Sequence, residues 1–164
     1  MARIVELCIR DASYVAANMR AADFEEISCL WQEFDARALG IFAVEHSVPG
    51  FAWAIRDNEG QPVAAYGMSY AAPFDPEHWQ AWAFGTDRFR RVVPLMTRHL
   101  QSIRDLIEAN CRRLQVLTHL DHDLSHRWLS KCGAKREGVL HGYGRNGEAF
   151  AVYAWLREEG NTDE

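Results

Sequence analysis

The sequence predicts an α/β (α+β) fold, with a mixed, mostly antiparallel six- to seven-stranded sheet flanked by helices. Its last third predicts a strand over residues 113–119, a short helix over 124–132 and a hairpin from about 139 to 157. Upstream, short segments of alternating apolar residues surround one long segment of helical periodicity. Strands and helices in this order pack as a sheet covered by helices.

Length and composition predict one globular domain. The chain has 164 residues, 48% hydrophobic and 25% charged, as is usual for soluble domains. We expect residues 1–157 to form the domain and 158–164 to be a loose tail. The net charge of -5 argues against broad electrostatic binding to nucleic acid or anionic membrane. No apolar segment approaches the ~20 residues of a membrane span, and the N-terminus lacks a secretion segment. A cytoplasmic location is expected.

The first third predicts one strand and three helices. Residues 3–9 alternate as a strand, and Asp11 is expected to cap a helix through Met19. A second helix is expected from Asp23, and a third over 35–44, before Pro49-Gly50 breaks the chain. The apolar face of the second helix is Phe24, Ile27, Leu30, Trp31 and Phe34.

The middle of the chain predicts three strands and the longest helix. The expected ranges are strands over 51–56, 63–68 and 79–84 and a helix from about 92 to 110. Pro94 fits only near the first turn of that helix, because deeper in the helix it removes a hydrogen bond. Gly133 is expected to end the short helix that follows, and Asn146-Gly147 to close the final hairpin.

No metal site is predicted. The loop over 118–126 holds His119 and His122 between carboxylates, a set that can bind zinc or supply a general base. Further ligands elsewhere in the chain are missing, and Asp121 or Asp123 as a helix cap explains the cluster as well. The four cysteines include no CxxC pair, which argues against metal knuckles and redox motifs.

With this order of elements, Ser125-x-x-x-Leu129-x-x-x-Gly133-Ala134-x-x-x-Gly138 resembles the GNAT family of acyl-CoA-dependent transferases. The chain more closely resembles a small phage protein family named for internal virion protein A of short-tailed phages, over about residues 10–157. The residues that carry this closer resemblance are Ala17-Asn18-Met19-Arg20-Ala21-Ala22-Asp23-x-x-Glu26, His46-Ser47, Tyr66-Gly67-Met68, Trp82-x-x-Gly85-Thr86 and Ser125-x-Arg127-Trp128-Leu129.

The GNAT resemblance implies acetyl-CoA as cofactor, held in a splayed gap between the fourth and fifth strands. The backbone of Trp82, Ala83 and Phe84 would bind the pantetheine arm and polarise the thioester. The loop that follows would hold the pyrophosphate on free N–H groups. Its candidate phosphate partners are Thr86, Arg88, Arg90 and Arg91. Alternatively, Thr86 or Asp87 caps the helix and the arginines lie on a solvated face.

This loop departs from the GNAT pattern, because its one glycine, Gly85, stands at its start. GNAT enzymes also often carry an Asn at the start of the short helix and a Tyr within it. The resemblance places His122 and Leu129 at those positions, and Leu129 cannot donate a proton. Glu45 and His46 precede the first hairpin, near where GNAT acceptors enter. Glu45, His46 and His122 are therefore the candidate catalytic residues, with solvated loop residues as the alternative.

Two functions are compatible with this pattern. The first is a phage or prophage GNAT-fold protein with weak or lost acetyl-CoA-dependent N-acetyltransferase activity and a role in virion assembly, in the host cytoplasm or the virion. The alternative is an active N-acetyltransferase acting on an unknown amine. Its partner would be a small-molecule amine or a protein, and a homodimer is expected by analogy with GNAT proteins that pair through C-terminal strands.

Overall fold

A computed structural model describes residues 1–158, and the predicted tail over 158–164 lies outside the described residues from position 159 onwards. The strands are β1 (Arg3–Glu6), β2 (Ser47–Arg56), β3 (Pro62–Tyr70), β4 (His78–Gly85), β5 (Arg113–His119), β6 (Lys135–Leu140) and β7 (Phe150–Leu156). The helices are α1 (Ile9–Ala17), α2 (Ala21–Ser28), α3 (Ala36–Glu45), α4 (Phe89–Ser102), α5 (Arg104–Asn110) and α6 (Asp123–Lys131).

The seven strands form one sheet in the order β1-β2-β3-β4-β5-β7-β6. β4 and β5 pair in parallel, and the other neighbouring pairs in the described chain are antiparallel. The predicted mixed, mostly antiparallel fold is therefore confirmed. No helix within residues 1–158 is long and apolar enough to cross a bilayer.

Helices cover both faces of the sheet centre. Ala54, Ala65 and Phe84 face α1 and α3 in one core cluster. Side chains on the opposite face of the sheet, such as Tyr66 on β3, pack with Val92 and Met96 of α4. β3 is consequently buried over seven successive residues, the pattern of a strand covered on both faces.

Two predicted features of the N-terminal helices are wrong. α1 begins after Cys8, and Asp11 lies inside the helix, where its buried carboxylate pairs with Arg56 at 2.7 Å. α2 ends at Ser28 instead of continuing through Phe34. α3 starts separately at Asp35, whose extended backbone lets its side chain accept from the Ala38 N–H at 2.6 Å.

Three other boundaries differ from the prediction. Pro49-Gly50 does not end a segment but lies in an irregular part of β2, where the register shifts between Ser47 and Ala52 and Gly50 adopts a φ of 81°. The predicted long helix divides at Ile103 into α4 and α5. The last hairpin begins earlier, at β6, with residues 141–149 as a longer connection. Gly133, with a φ of 83°, ends α6 as predicted.

Candidate functional site

β4 and β5 separate soon after they begin. They pair only at His78–Arg113, Trp79–Leu114 and Gln80–Gln115. Beyond these pairs, β4 continues along β3 and β5 along β7. A gap therefore opens between residues 81–85 and 116–119. The splayed gap implied by the GNAT resemblance is present, and we call it the strand gap.

Ala83 and Gly85 direct their backbone groups into the strand gap. The Thr86 N–H donates to the Val63 carbonyl at 2.9 Å, so Gly85, opposite Ala64, is a non-hydrogen-bonded position. Along an antiparallel strand, the backbone N–H and C=O groups of successive residues point alternately to the two sides of the strand. The N–H and C=O of Ala83, two residues before Gly85, therefore also point away from β3. Ala83 is exposed. Of the three candidate β4 residues, it is the one whose N–H faces the gap.

Trp82 and Phe84 are placed differently from Ala83. Their backbone groups point to β3, and their rings stack with centroids 5.6 Å apart. Both side chains belong to the core cluster beneath α1 and α3. Their side chains therefore serve packing.

The start of α2 closes the β4 side of the strand gap. The Arg20 N–H donates to the Gly85 carbonyl at 2.9 Å, and the Gly85 N–H donates to Asp23 Oδ2 at 2.8 Å. Arg20 Nε also contacts that carboxylate oxygen at 2.8 Å, and Asp23 is buried. Met19 forms an isolated bridge with Thr86. Residues 19–23 therefore hydrogen-bond to the otherwise unpaired edge of β4 at its C-terminal end.

Glu26 closes the β5 side of the gap from the same helix. Its Oε2 accepts from the His119 N–H at 2.8 Å and from the Thr118 hydroxyl at 3.0 Å. His122 Nδ1 lies 3.2 Å from the same oxygen. Burial raises the pKa of Glu26, but hydrogen bonds from His122, His119 and Thr118 outweigh burial and lower it overall. Glu26 is therefore a carboxylate at neutral pH.

Asp23 and Glu26 lie three residues apart, on the same side of α2. One helix thus binds an N–H of β4 through Asp23 and an N–H of β5 through Glu26. We call this pair the carboxylate clamp. The sequence analysis assigned no such role to either residue. The signal that identifies it is the spacing Asp-x-x-Glu, which places two carboxylates side by side on a helix.

The loop after β4 satisfies its own hydrogen bonds. The buried Thr86 hydroxyl lies 3.2 Å from the Val63 carbonyl and accepts from the Arg88 N–H at 3.3 Å. The Phe89 N–H donates to the Thr86 carbonyl at 2.8 Å. These bonds order the turn before α4, but Arg88 is the N-cap residue and no side chain caps the helix, so the predicted cap at Thr86 or Asp87 is wrong. Phe89 is itself buried against Gly85, where an added Cβ would lie 2.4 Å from the ring.

The three candidate arginines have different surroundings. Arg88 forms an ion pair with Asp57 in the β2–β3 turn. The pKa of Asp57 is lowered overall, mainly by the hydrogen bond from the Gln61 N–H; burial raises it, and Arg88 contributes a further lowering. Arg90 and Arg91 are exposed on the first turn of α4. Two of the three therefore lie on a solvated face.

Trp128 connects α6 to α4 on the face of the sheet opposite α1 and α3. Its Nε1 donates to Thr97 Oγ1 at 3.0 Å, from α6 to α4. The ring also packs against the core clusters on both sides, around Phe89 and around Leu129. The space between α4 and α6 is therefore occupied by an indole ring at this point.

The candidate catalytic residues are not brought together. His122 follows the end of β5, whereas Glu45 and His46 lie exposed at the end of α3. The next residue, Ser47, pairs with Ser69, which is opposite Gln80 near the start of β4. β4 and β5 are parallel, so the two sets lie towards opposite ends of these strands.

His122 also does not form a nucleophile relay with Ser125. Ser125 Oγ lies 3.0 Å from His122 Nδ1, and Glu26 approaches the same nitrogen. A Ser-His-carboxylate relay requires the hydroxyl and the carboxylate on different ring nitrogens. Among residues 1–158, no group of three or more His, Cys, Asp or Glu side chains is placed to hold a metal ion.

A hollow of about 490 Å³ lies on the α1–α3 side of the sheet, over β5, β6 and β7. The Gln80 and Gln115 carboxamides are 3.4 Å apart in its wall. Arg113 and Glu137 form a two-bond ion pair beside them, at 3.0 and 2.5 Å. The rest of the wall is mainly apolar: Ala71, Leu117, Gly138, Val139, Leu140, Tyr143 and Val152.

No protein-family model and no curated protein matches the chain. Solved structures do match it. An N-acetyltransferase from Staphylococcus aureus Mu50 superposes with a TM-score of 0.74 at 15% identity, covering 96% of this chain and 99% of that one. The ribosomal-protein-S18-alanine N-acetyltransferase from Escherichia coli gives 0.69 at 12% identity, covering 100% and 99%.

A GNAT-family acetyltransferase from Bacillus anthracis gives a TM-score of 0.67 at 17% identity, with 96% of each chain covered. These identities establish a shared fold and not a shared reaction. The comparisons do not support the resemblance to the phage virion protein family. What they show is that this chain has the fold of GNAT-family acetyltransferases.

Proposed function

We propose that this chain is a divergent GNAT-fold protein in which acetyl-CoA-dependent N-acetyltransferase activity is weak or lost, and which acts by binding a partner. The observation that carries the proposal is the carboxylate clamp. Asp23 and Glu26 already bind the Gly85 and His119 N–H groups at the end of the strand gap, each at 2.8 Å.

The pantetheine arm of coenzyme A would find unpaired backbone groups on only part of the β4 edge, at Ala83 and not at Gly85. An arm that runs along the edge of β4 needs unpaired backbone groups, and Gly85 has both of its groups engaged by residues of the chain itself. Displacing them means breaking two hydrogen bonds, each contributing about 0.5–1.5 kcal/mol to stability.

The loop after β4 does not fit a pyrophosphate. A helix N-terminus binds phosphate through N–H groups that have no other partner. Here the Arg88 and Phe89 N–H groups have Thr86 as acceptor. The Phe89 ring also packs directly on Gly85, the one glycine of this loop. Binding would require this loop to be rebuilt.

A second candidate function is N-acetyl transfer from acetyl-CoA to an unknown amine. One observation favours it: Ala83 is exposed and turns its N–H and C=O into the strand gap, beside the hollow lined by Gln80 and Gln115. Arg90 and Arg91 are exposed on the first turn of α4. This candidate therefore predicts that affinity depends on Arg90 and Arg91.

Titration with acetyl-CoA tests the proposal, with binding detected as heat in calorimetry and as a shift of the melting temperature. We expect neither heat nor a shift at cofactor concentrations of about 1 mM. Ligand at one hundred times its Kd would stabilise the fold by about 2.7 kcal/mol. Micromolar binding would reject the proposal. Weaker binding to an Arg90→Ala/Arg91→Ala variant, with Arg98→Ala as the matched control on α4, would then support the transferase.

The setting that we propose for partner binding is assembly of a phage particle, which rests on the resemblance to internal virion proteins. Mass spectrometry of particles purified from the source strain tests it. The chain should be present in stoichiometric amounts after density-gradient purification. Particles without it would reject this setting while leaving the acetyl-CoA result unaffected.

A further inference from the structure

Five aromatic rings form a continuous row on α2, α3 and the segment between them. Phe24 contacts Phe34 with ring centroids 5.6 Å apart, and Phe34 contacts Trp31 at 5.7 Å. Trp31 then meets Phe42 edge to face at 5.5 Å, and Phe42 stacks on His46 at 4.0 Å. We call these five residues the aromatic row.

The aromatic row is only partly used by the core. Trp31 and Phe34 pack against the cluster beneath α1 and α3. Phe24 and Phe42 remain 52% and 48% exposed, and the neighbouring Leu30 is 45% exposed. Aromatic side chains carry about 150–250 Å² each. These residues therefore leave an apolar patch of about 300 Å², within the range of functional patches on monomers.

Exposed carboxylates accompany the aromatic row in the sequence. They are Glu25, Glu33, Asp35 and Glu45, and we call them the negative rim. Arg37 is the one Lys or Arg between Phe24 and His46, and the exposed Arg145 donates to the Ser28 carbonyl at the end of α2. The segment therefore combines exposed aromatic faces with more negative than positive charge.

We propose that the aromatic row is the docking surface for a basic, amphipathic segment of a partner protein. Apolar side chains of such a segment cover Phe24 and Phe42, and its Lys and Arg side chains reach ring faces and rim carboxylates. The negative rim repels nucleic acid and anionic lipid surfaces. This inference rests on the partner-binding part of the proposed function and names the chemistry of the partner.

Folding does not require the exposed rings. Leu39 and Ala43 of α3 are the residues buried against the sheet, whereas Phe42 points outward from the same helix. Polar replacement of Phe24 and Phe42 therefore leaves the core intact. This separates loss of docking from loss of folding in the experiment.

The probe is a fluorescein-labelled 18-residue peptide of Lys and Leu at helical spacing. A peptide with the same pattern, in which Glu replaces Lys, is the control of opposite charge. Fluorescence anisotropy measures binding to the full chain. We expect the Phe24→Ser/Phe42→Ser variant to bind the Lys peptide at least tenfold more weakly. Phe74→Ser is the matched control, since Phe74 is 99% exposed outside the row. We expect it to bind like the wild type.

Charge is tested separately with Glu25→Gln/Glu33→Gln, which should bind about threefold more weakly and with less salt dependence. The proposal is overturned if the Lys peptide does not bind, if the Glu peptide binds equally, or if Phe74→Ser loses as much affinity as the row variant. A dimer that Phe24→Ser/Phe42→Ser dissolves would make a second copy the occupant and also overturn it. Acetyl-CoA binding would reject the proposed function without changing these results.

Discussion

Replacing Glu26 with Ala is the sharpest test of the carboxylate clamp. The change leaves the His119 N–H and the Thr118 hydroxyl without their acceptor, and Thr118 is only 2% exposed. A buried donor without a partner costs about 1–3 kcal/mol, so two donors give an upper range of about 2–6 kcal/mol. The Glu26 side chain is itself 24% exposed. Because water can replace part of the loss, we expect destabilisation of about 2–3 kcal/mol.

Urea denaturation followed by tryptophan fluorescence measures this loss. The midpoint should fall while the slope m stays unchanged, since a similar surface is exposed on unfolding. Glu25→Ala is the matched control, because Glu25 is exposed on the same helix and should change stability by at most about 0.5 kcal/mol. If Glu26→Ala is no less stable than Glu25→Ala, the clamp does not hold the strands and our reasoning is refuted.

Three further predictions follow from the same structure. The pKa of Glu26 is lowered by folding, so its stabilisation is present above the unfolded pKa of about 4.3 and disappears as pH falls through the lower folded pKa. The difference in unfolding free energy between the wild type and Glu26→Gln should therefore become smaller in acid. Urea denaturation at several pH values would measure it, and a difference that does not change with pH would contradict this prediction. Gly85→Ala places a Cβ 2.4 Å from a buried ring and should cost about 1–3 kcal/mol in urea, whereas Gly138→Ala, with open space around it, should be nearly neutral. Arg56→Ala removes the hydrogen-bonded partner of the buried Asp11 carboxylate, which Arg10 approaches only to 3.6 Å, and should lower stability by about 3 kcal/mol, while Arg10→Ala, whose side chain is 80% exposed, should not. Similar melting temperatures for Arg56→Ala and Arg10→Ala would contradict this last prediction.

Features set by neighbouring residues could be predicted from the sequence. Alternating apolar residues identified β5 over its whole length. Gly133 ends α6 because its positive φ suits glycine, and that preference is local. The splayed gap and its Ala83 came from the resemblance to a fold, not from periodicity.

Features set by tertiary contacts could not be predicted in the same way. The apolar spacing of residues 24–34 predicted one helix, but α2 ends at Ser28 and α3 starts anew after Asp35, and Phe24 and Trp31 become members of the aromatic row. Likewise, no local sequence pattern indicates the partners of Glu26. Its actual partners, Thr118 and His119, lie more than ninety residues away in the sequence.

The short ladder between β4 and β5 has a consequence for how the chain assembles. β1 to β4 come from residues 3–85 and β5 to β7 from 113–156, so each set of strands pairs within its own stretch of sequence. The short β4–β5 ladder of three residue pairs joins the sets, together with side-chain contacts such as those of Glu26 with His119 and of Arg157 with Glu77. The sheet is therefore continuous in space but divided in the sequence, as expected of two cooperative folding units. A chain cut between α5 and β5 should yield two fragments that recombine into the native sheet.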